Sequence, residues 1–266
     1  RRIRAVLGGQ DRHSLADSRA LQGDVVSEPA RRLADLVRAL PAADDPDAAA
    51  ARAVLAAFDG ALHHGSAAAA LIEVVWVRHL RPALLAALVP DAGTRRLLPP
   101  GDTQSLLERL ETGLDPATRA GLISDALGAG LRTCRERMGA DPAHWSWGRL
   151  HHALFAHPLT AQAPGSGWDV GPLPVGGAAA SVMHAEYRTD TFRLTHGASF
   201  RMVVDVGDWD RSVFINVPGQ SGDPGSPHYA DLAPVWGRQD YVPMLYGRAA
   251  VDAATETVIT LTPSPA

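Results

Sequence analysis

The residues best suited to chemistry lie in one loop, which begins Gly219-Gln220-Ser221-Gly222-Asp223 and continues to His228, Tyr229 and Asp231. A serine in this setting resembles the nucleophile elbow of hydrolases, but that motif has glycine where Asp223 stands and needs a tight turn from strand to helix. Short polar side chains in turns more often bond to nearby backbone groups. We therefore predict that Ser221 and Gln220 satisfy the backbone of the loop and help to shape a pocket, without Ser221 acting as a nucleophile.

A second candidate group lies just before that loop. Ser199 and Arg201 are two residues apart, so both side chains are expected on one face of a strand. A guanidinium holds a carboxylate through two parallel hydrogen bonds, and Asp231 or Asp205 is a suitable partner that would fix the strand against the loop. The alternative is that Arg201 forms the floor of a substrate site. Three tryptophans are predicted to be buried core anchors that need one hydrogen bond each, namely Trp145, Trp147 and Trp236.

Two sets of residues have types that bind metals. Asp205, Asp208 and Asp210 cluster around a turn, but their spacing does not match an EF-hand loop, so we predict that they cap the turn. The histidines lack a His-Glu-x-x-His motif or a cysteine pair, so we predict no zinc site among them. The histidines in question are His63, His64, His144, His151, His152 and His157.

The first half of the chain, which must support these residues, is predicted to be helical. Ser14 is the predicted N-cap of a helix that runs to about residue 40, with a break at Glu28-Pro29 because proline removes a backbone donor and restricts the residue before it. Apolar periodicity and glycine stops predict the later helices. Their ranges are 48–62, 66–88, 102–111, 116–138 and 142–156.

The second half changes to a period of two residues, which is typical of strands. Residues 200–206 and 213–217 alternate around the polar turn 207–211 and predict a β-hairpin. Further strands are predicted at 178–187, 191–194 and 257–261, a loop at 158–177, and a short helix from His228 to Trp236. Helices followed by antiparallel strands indicate an α+β fold, with a helical region at 1–160 and a β-rich region at 161–266.

Taken together, these motifs resemble the penicillin acylase (penicillin amidase) family. The C-terminal pattern is carried by Gly197-x-Ser199-x-Arg201, Gly219-Gln220-Ser221-Gly222, Ser226-Pro227-His228-Tyr229, Asp231 and Trp236. Upstream, Trp147-Gly148-x-x-His151 and His157-Pro158-Leu159 are similar to the family's Trp-Gly-x-x-His and His-Pro-Leu elements, and residues 2–24 fit its helical start. The resemblance covers nearly the whole chain and is weakest between residues 41 and 139.

The resemblance implies an N-terminal-nucleophile hydrolase of the four-layer αββα fold, of which this chain is the distal portion of the β subunit and one continuous part of a larger catalytic domain. In that family the N-terminal serine of the β subunit attacks an amide, with its own α-amine as base. Because the sequence begins with Arg1, the resemblance puts that serine, the oxyanion asparagine and the calcium ligands upstream. No catalytic residue and no metal ligand is therefore expected in this chain, which alone is expected to be inactive. The residues expected to serve as pocket or scaffold are Ser199, Arg201, Gln220, Ser221, His228, Tyr229, Asp231 and Trp236.

The same resemblance implies partners, substrates and a compartment. The partners are the α subunit and the N-terminal part of the β subunit, and the substrate is an amide such as the acyl side chain of a β-lactam, an acyl-homoserine lactone or a lipopeptide. A periplasmic or extracellular location is expected, with any signal outside this sequence. A sheet without its upstream strands exposes edges, so self-association is also expected. The alternative is a noncatalytic scaffold or binding module derived from the family.

Composition fits a globular protein and narrows the classes of partner. The 266 residues include 46% hydrophobic residues, enough to fill a sizeable core. A net charge of −4 gives no electrostatic reason to bind nucleic acid or an anionic membrane. The longest apolar run, residues 67–88, is interrupted by Glu73 and by basic residues, so we predict a buried helix rather than a membrane span. Cys134 is the one cysteine, which excludes an internal disulfide.

Overall fold

The computed structural model describes residues 1–42, 44–97 and 103–263, which divide into two compact units. The larger unit comprises Arg1–Asp11 and Ala20–Ala198, and the smaller unit comprises Arg12–Arg19 and Ser199–Ala266. The larger unit is mainly helical with two small antiparallel sheets, and the smaller unit contains a three-stranded antiparallel sheet. The predicted α+β class is confirmed. The regions 1–160 and 161–266, which divide the chain by type of secondary structure, stay a prediction.

Helices dominate the first part of the chain, as predicted. In chain order they are α1 Arg2–Leu7, α2 Leu15–Gln22, α3 Glu28–Arg38, α4 Pro46–Leu55, α5 Ala67–Val74, a π-helical turn Val75–Leu80, α6 Arg81–Leu88, α7 Ala92–Leu97, α8 Thr103–Thr112, α9 Pro116–Met138 and α10 Trp147–Leu150. The predicted helix 102–111 corresponds to α8, although residue 102 lies outside the described residues. Among the described residues, no helix combines the length and the apolar character needed to cross a membrane.

Side-chain caps explain where several helices begin. Ser14 and Asp17 cap each other's backbone before and within α2, with N–H to side-chain oxygen distances of 3.1 and 2.8 Å, so the predicted N-cap is confirmed. The predicted break at Glu28-Pro29 is confirmed, because α3 begins at Glu28, but the interruption starts earlier than predicted, since α2 already ends at Gln22. Pro29 lies in the first turn of α3, where a backbone N–H has no helical acceptor and its loss costs nothing.

The core of the larger unit forms where α9 packs against α4, α5 and the π-helical turn. Gly130 of α9 permits this approach, because a Cβ at that position would overlap the side chain of Val75. The predicted helix 66–88 is one continuous helical segment made of α5, the π-helical turn and α6. Its buried residues include Leu71, Ile72 and, unusually for an acid, Glu73.

Two small sheets complete the larger unit. Strand β1, His152–Phe155, pairs with β2, Val170–Pro174, and β3, Ala185–Tyr187, pairs with β4, Leu194–Gly197. The helix predicted over 142–156 is therefore wrong beyond Leu150, and the predicted loop 158–177 contains β2. Pairing with a distant partner, His152 opposite Pro174, decides the conformation of β1 against its local helical pattern.

In the smaller unit, strands β5 Arg201–Val203, β6 Val213–Ile215 and β7 Val242–Pro243 form a sheet in that order. The predicted hairpin is confirmed, with Met202 opposite Phe214. The remaining helices are shorter than predicted or new, namely α11 Ala233–Gly237 and α12 Arg248–Ala253. The strand predicted at 257–261 is not formed in the described residues.

Candidate functional site

The loop that carries most of the predicted site residues folds on itself. We call residues 218–232 the His228 loop. The backbone N–H groups of Gln220 and Ser221 both donate to the carbonyl oxygen of His228, at 2.9 and 3.0 Å. Gly219 permits this closure, because a Cβ there would overlap the backbone of His228 and Tyr229. The two ends of the loop are therefore held together by backbone contacts that any side chain at residue 219 would disturb.

The polar side chains of the His228 loop are largely used within it. The hydroxyl of Ser221 accepts a hydrogen bond from the backbone N–H of Asp223 at 3.1 Å, as predicted for this loop, and its role in shaping a pocket stays a prediction. The amide of Gln220 lies 3.5 Å from the Gly219 carbonyl and its side chain is exposed. Tyr229 is half-buried, and its backbone N–H donates to the Ser226 carbonyl at 3.1 Å.

His228 and Asp231 form a pair at the surface of the same loop. Nδ1 of His228 lies 2.9 Å from a carboxylate oxygen of Asp231, and both side chains are exposed. The hydrogen bond and the negative charge of Asp231 raise the pKa of His228. The pair can hold a proton at the imidazole at a pH where an isolated histidine would lose it.

Arg201 and Trp236 form a second group in the smaller unit. Arg201 is buried, donates from Nη2 to the carbonyl oxygen of Trp236 at 3.2 Å, and lies over the rings of Trp236 and Tyr241 at 5.8 and 5.5 Å. Burial lowers the pKa of Arg201, and the neighbouring Tyr241 opposes that effect. The guanidinium is thus stabilised by a carbonyl and two aromatic faces.

The ion pair predicted for Arg201 with Asp231 or Asp205 is wrong. Asp231 pairs with His228, as above, and Asp205 lies 3.5 Å from Arg211. Both acids have other partners, and the groups that affect the pKa of Arg201 are its burial and Tyr241, with neither acid among them. The shared strand face predicted for Ser199 and Arg201 is also wrong, because β5 begins at Arg201 and Ser199 is exposed outside it.

Residues of the Trp-Gly-x-x-His pattern form a buried cluster in the larger unit. His151 is fully buried and stacks on Trp147 with ring centroids 4.7 Å apart. Its Nδ1 lies 2.8 Å from the carbonyl oxygen of Val175, so the neutral tautomer with a proton on Nδ1 is the one that fits. Burial lowers the pKa of His151 to about 4, although carbonyl groups of Val175 and Ala185 favour the proton. His151 is therefore a neutral core residue at physiological pH.

Glu73 and Tyr187 were missed as candidate residues. The Tyr187 hydroxyl donates to the carboxylate of Glu73, and the Tyr187 ring lies edge-on to His151 with centroids 5.5 Å apart. Burial raises the pKa of Glu73 to about 7, and the hydrogen bond from Tyr187 opposes that shift. The signal in the sequence was an acid within the apolar run 67–88. Its partner lies too far along the chain to be inferred from spacing.

The predicted burial of the three tryptophans is confirmed, and the predicted turn capping is confirmed for Asp205. Trp145, Trp147 and Trp236 are buried, and the indole N–H groups of Trp145 and Trp147 donate to backbone carbonyls at 2.7 and 3.0 Å. Asp205 caps the predicted turn, because it accepts hydrogen bonds from the backbone N–H groups of Gly207 and Asp208 at 2.9 and 3.3 Å. Asp210 instead accepts from the N–H groups of Tyr246 and Gly247, at 2.7 and 2.8 Å, outside that turn. Within the described ranges, no three histidine, cysteine or acidic residues come together in a way that would hold a metal ion.

The fold of this chain is that of a known class of hydrolases. The thermostable penicillin G acylase from Alcaligenes faecalis matches with a TM-score of 0.54 and 20% sequence identity, over 97% of this chain and 51% of that chain. The penicillin amidase family profile matches residues 1–253, and the chain therefore belongs to the penicillin amidase family.

Curated relatives are similar along most of the chain. Penicillin acylase 2 proenzyme from a Pseudomonas species is 29% identical over 260 residues, which is 90% of this chain and 32% of that protein. The acyl-homoserine lactone acylase QuiP from Pseudomonas putida is 30% identical over 265 residues, which is 87% of this chain and 32% of that protein. The chain spans about a third of the length of the curated relatives it matches.

Proposed function

We propose that this chain is the C-terminal part of the β subunit of an amidohydrolase that cleaves substituted amides, and that an N-terminal serine in another part of the same precursor is the nucleophile. One observation carries the proposal. The family profile covers residues 1–253, while the chain corresponds to 32% of a relative named as a proenzyme. A segment of that size contributes one part of a catalytic domain whose remaining parts come from elsewhere.

The reaction is acyl transfer to water. The serine attacks the amide carbonyl, oxyanion donors hold the tetrahedral intermediate, the amine leaves, and water hydrolyses the acyl-enzyme. This chain contributes pocket wall and scaffold. Arg201 and Trp236 fix the strand β5 against α11, and the His228 loop presents Gln220 and the His228–Asp231 pair at its surface.

Substrates of this enzyme are small molecules with an acyl group on an amide nitrogen. The names of the relatives support two kinds, the acyl side chain of a β-lactam and an acyl-homoserine lactone. A lipopeptide has the same bond and belongs to the same proposal. The choice among them depends on pocket residues supplied by the rest of the precursor.

The partners are the α subunit and the N-terminal part of the β subunit, and the location is periplasmic or extracellular. Edge strand β5 and the exposed side chains of Phe200 and Met202, which are 52% and 42% accessible, support pairing with another polypeptide segment or with a second copy. A structural calcium ion, where the complete enzyme has one, would be held by ligands in another segment of the precursor, as the resemblance to the family implies.

A noncatalytic scaffold is the second candidate function. This function is favoured because polar side chains of the His228 loop form hydrogen bonds within the loop. Ser221 accepts from the N–H of Asp223, and His228 is hydrogen-bonded to Asp231. A loop of this kind supports a pocket without reacting in it. A free-standing binding module derived from the family would show the same hydrogen bonding within this loop.

The experiment compares the purified 266-residue chain with the same chain co-expressed with the remaining precursor segments. Release of primary amine from penicillin G, from acyl-homoserine lactones with short and long chains, and from a lipopeptide is measured. We expect no turnover by the chain alone and turnover by the assembled protein, which is abolished when the N-terminal serine is changed to alanine. Turnover by the chain alone would contradict the location of the nucleophile, and an assembled protein inactive on every amide would leave the scaffold function.

A further inference from the structure

The larger unit contains a cavity of 540 Å³ for which amide hydrolysis provides no role. Its wall includes residues of α1, α3, α5, the π-helical turn, α6, α8 and β3. Pockets that bind small organic molecules have volumes of about 300 to 1,000 Å³. The cavity is therefore large enough for such a ligand.

Glu73 lines this cavity, although only 7% of its surface is accessible to solvent. One oxygen of its carboxylate accepts the hydrogen bond from Tyr187. In the part of the chain that the structure describes, no arginine or histidine pairs with this carboxylate, and burial and Tyr187 are the influences on its pKa. Burial without a cationic partner raises the free energy of an ionised carboxylate, and a positively charged ligand would offset that penalty.

The other two acids in the described cavity wall are more accessible to water than Glu73, and each lies near a basic side chain. Glu28 binds Arg31 at 2.7 Å, and Glu186 lies 3.7 Å from His196. Within the described wall, Glu73 is therefore the buried acid that has no cationic side chain as a partner. The charged or titratable groups that face the cavity besides Glu73 are Arg1, Arg2, Glu28, Arg81, Glu186 and Tyr187.

The rest of the wall offers an apolar surface beside the carboxylate. The apolar residues Leu33, Ile72 and Leu107 all line the cavity. Trp76 lines it as well, and the face of an indole ring attracts cations. A ligand that matches this wall has one positive charge and an apolar body.

We propose that the cavity binds a protonated organic amine, whose ammonium group pairs with Glu73 and whose hydrocarbon part lies against Ile72 and Trp76. The inference concerns equilibrium binding in the larger unit. Its outcome does not depend on whether the assembled protein hydrolyses amides.

Binding of a cation at Glu73 is coupled to a proton. The carboxyl has a pKa of about 7 in the empty cavity, so a bound ammonium ion displaces the proton when the pH is below that value. The apparent affinity should rise about tenfold between pH 6 and pH 8, and about one proton should be released at pH 6 but almost none at pH 8. A site formed by the exposed acids of the wall would not have this dependence.

The test is isothermal titration calorimetry on the 266-residue chain with n-hexylamine and 2-phenylethylamine. Titrations at pH 6 and pH 8, each in two buffers with different ionisation enthalpies, measure both affinity and proton release. Hexanol and hexanoate are the neutral and anionic controls of the same length. We expect both amines to bind at least tenfold more tightly than either control, with the pH dependence given above.

Variants connect the binding to Glu73. Glu73→Gln should lose at least tenfold in amine affinity at pH 8 and should show no proton release, whereas Glu186→Gln, a change in an exposed wall residue, should bind as the unchanged chain does. Tyr187→Phe removes the hydrogen bond that lowers the pKa of Glu73. In that variant the rise in affinity should move to higher pH, which provides a second test if Glu73→Gln does not fold.

Three results would overturn the proposal. They are equal binding of hexanol and n-hexylamine, unchanged amine binding by folded Glu73→Gln, and no detectable binding of either amine by the unchanged chain. Binding of hexanoate in preference to the amines would show that the arginines of the wall, and not Glu73, select the ligand.

Discussion

The hydroxyl of Tyr187 donates a hydrogen bond to the buried carboxylate of Glu73, and this contact joins β3 to α5 across 114 residues of sequence. The ring of Tyr187 also makes edge-on contacts with His151 and Trp147, with centroid distances of 5.5 and 5.4 Å. Burial favours the neutral form of both ionisable neighbours, because it raises the pKa of Glu73 to about 7 and lowers that of His151 to about 4.

Glu73→Gln should stabilise the protein at pH 8. The carboxyl keeps its proton in the folded chain up to pH about 7 but loses it near 4.5 when unfolded, so the stability that depends on this proton is lost as the pH rises between these values. The full loss is on the order of 3 kcal/mol. Urea unfolding should show a gain approaching this size at pH 8 and a much smaller one at pH 5. A variant less stable than the unchanged chain at pH 8 would contradict the assignment, and Glu186→Gln is the matched control.

The unchanged protein should lose stability as the pH falls, and the variant His151→Phe should lack this loss. The folded chain keeps His151 neutral down to pH about 4, whereas the unfolded chain takes up a proton near 6.5, so the unchanged protein loses stability as the pH falls through this range. Phenylalanine can keep the stacking on Trp147 but loses the hydrogen bond to Val175, at a cost of about 1 to 3 kcal/mol at neutral pH. Denaturant unfolding between pH 7 and 4 should show a flatter profile for this variant, while the exposed change His144→Phe should keep the original slope.

Gly219→Ala should open the His228 loop. The added methyl group would overlap the carbonyl oxygen of His228, which accepts the N–H groups of Gln220 and Ser221, so the loop must move apart. We expect a loss of about 2 kcal/mol in unfolding free energy and faster hydrogen exchange at those two amides. Gly222→Ala is the control in the same loop, because a Cβ there meets nothing within 4 Å. Equal behaviour of the two variants would mean that the loop is not closed in this way.

Asp231→Asn should lower the pKa of His228. The carboxylate raises this pKa by its hydrogen bond and its charge, and asparagine lacks the charge. The pairing contributes stability below the ordinary histidine range, and that contribution is lost as the pH rises through the higher pKa of the folded state. NMR titration of the ring protons of His228 should move toward the ordinary value of about 6.5 in the variant. An unchanged titration midpoint would exclude Asp231 as the cause.

Gly130→Ala and Gly121→Ala should have opposite effects, although both lie on α9. A Cβ at residue 130 would overlap Val75, so the packing of α9 on the π-helical turn must loosen, at a cost of about 1 to 3 kcal/mol. A Cβ at residue 121 meets nothing within 4 Å, and alanine favours a helix over glycine by about 1 kcal/mol. Thermal unfolding of the two variants checks both signs at once. If both variants are less stable than the unchanged chain, the expectation that alanine at residue 121 stabilises α9 is wrong.

Where local signals determine an element, the sequence predicts it well. The limits of α9 agree with the prediction to the residue, because Asp115 caps its start, Pro116 occupies its first turn, and Gly139 leaves it with φ near 100°. The hairpin of β5 and β6 is also confirmed, since alternation and a polar turn are properties of neighbouring residues. The family was identified from motifs that are local in the same sense.

Predictions from the sequence fail where the conformation or contacts of a residue depend on a partner that is distant in the sequence. Residues 152–155 have a helical pattern but become β1, because they pair with β2. An acid was expected as the partner of Arg201. Instead, Arg201 is buried beside a carbonyl oxygen and two aromatic rings, those of Trp236 in α11 and of Tyr241 just before β7. The pairing of Glu73 with Tyr187 also depends on tertiary packing, and no spacing rule in the sequence would have revealed it.

Tyr187 contacts both Glu73 and His151 in the interior of the larger unit, and both of these side chains are uncharged at mildly acidic pH. Between pH about 4 and about 7, the carboxyl of Glu73 holds its proton and the imidazole of His151 lacks one, so the cluster carries no charge and needs no counterion. Outside that interval one member becomes ionised with no opposite charge beside it in the described cluster. The unfolded chain, however, loses the carboxyl proton near pH 4.5 and takes up the imidazole proton below about 6.5, so the two pH dependences have opposite slopes. Their sum should be a broad plateau between pH about 4.5 and 6.5, with only a small decrease in stability on either side.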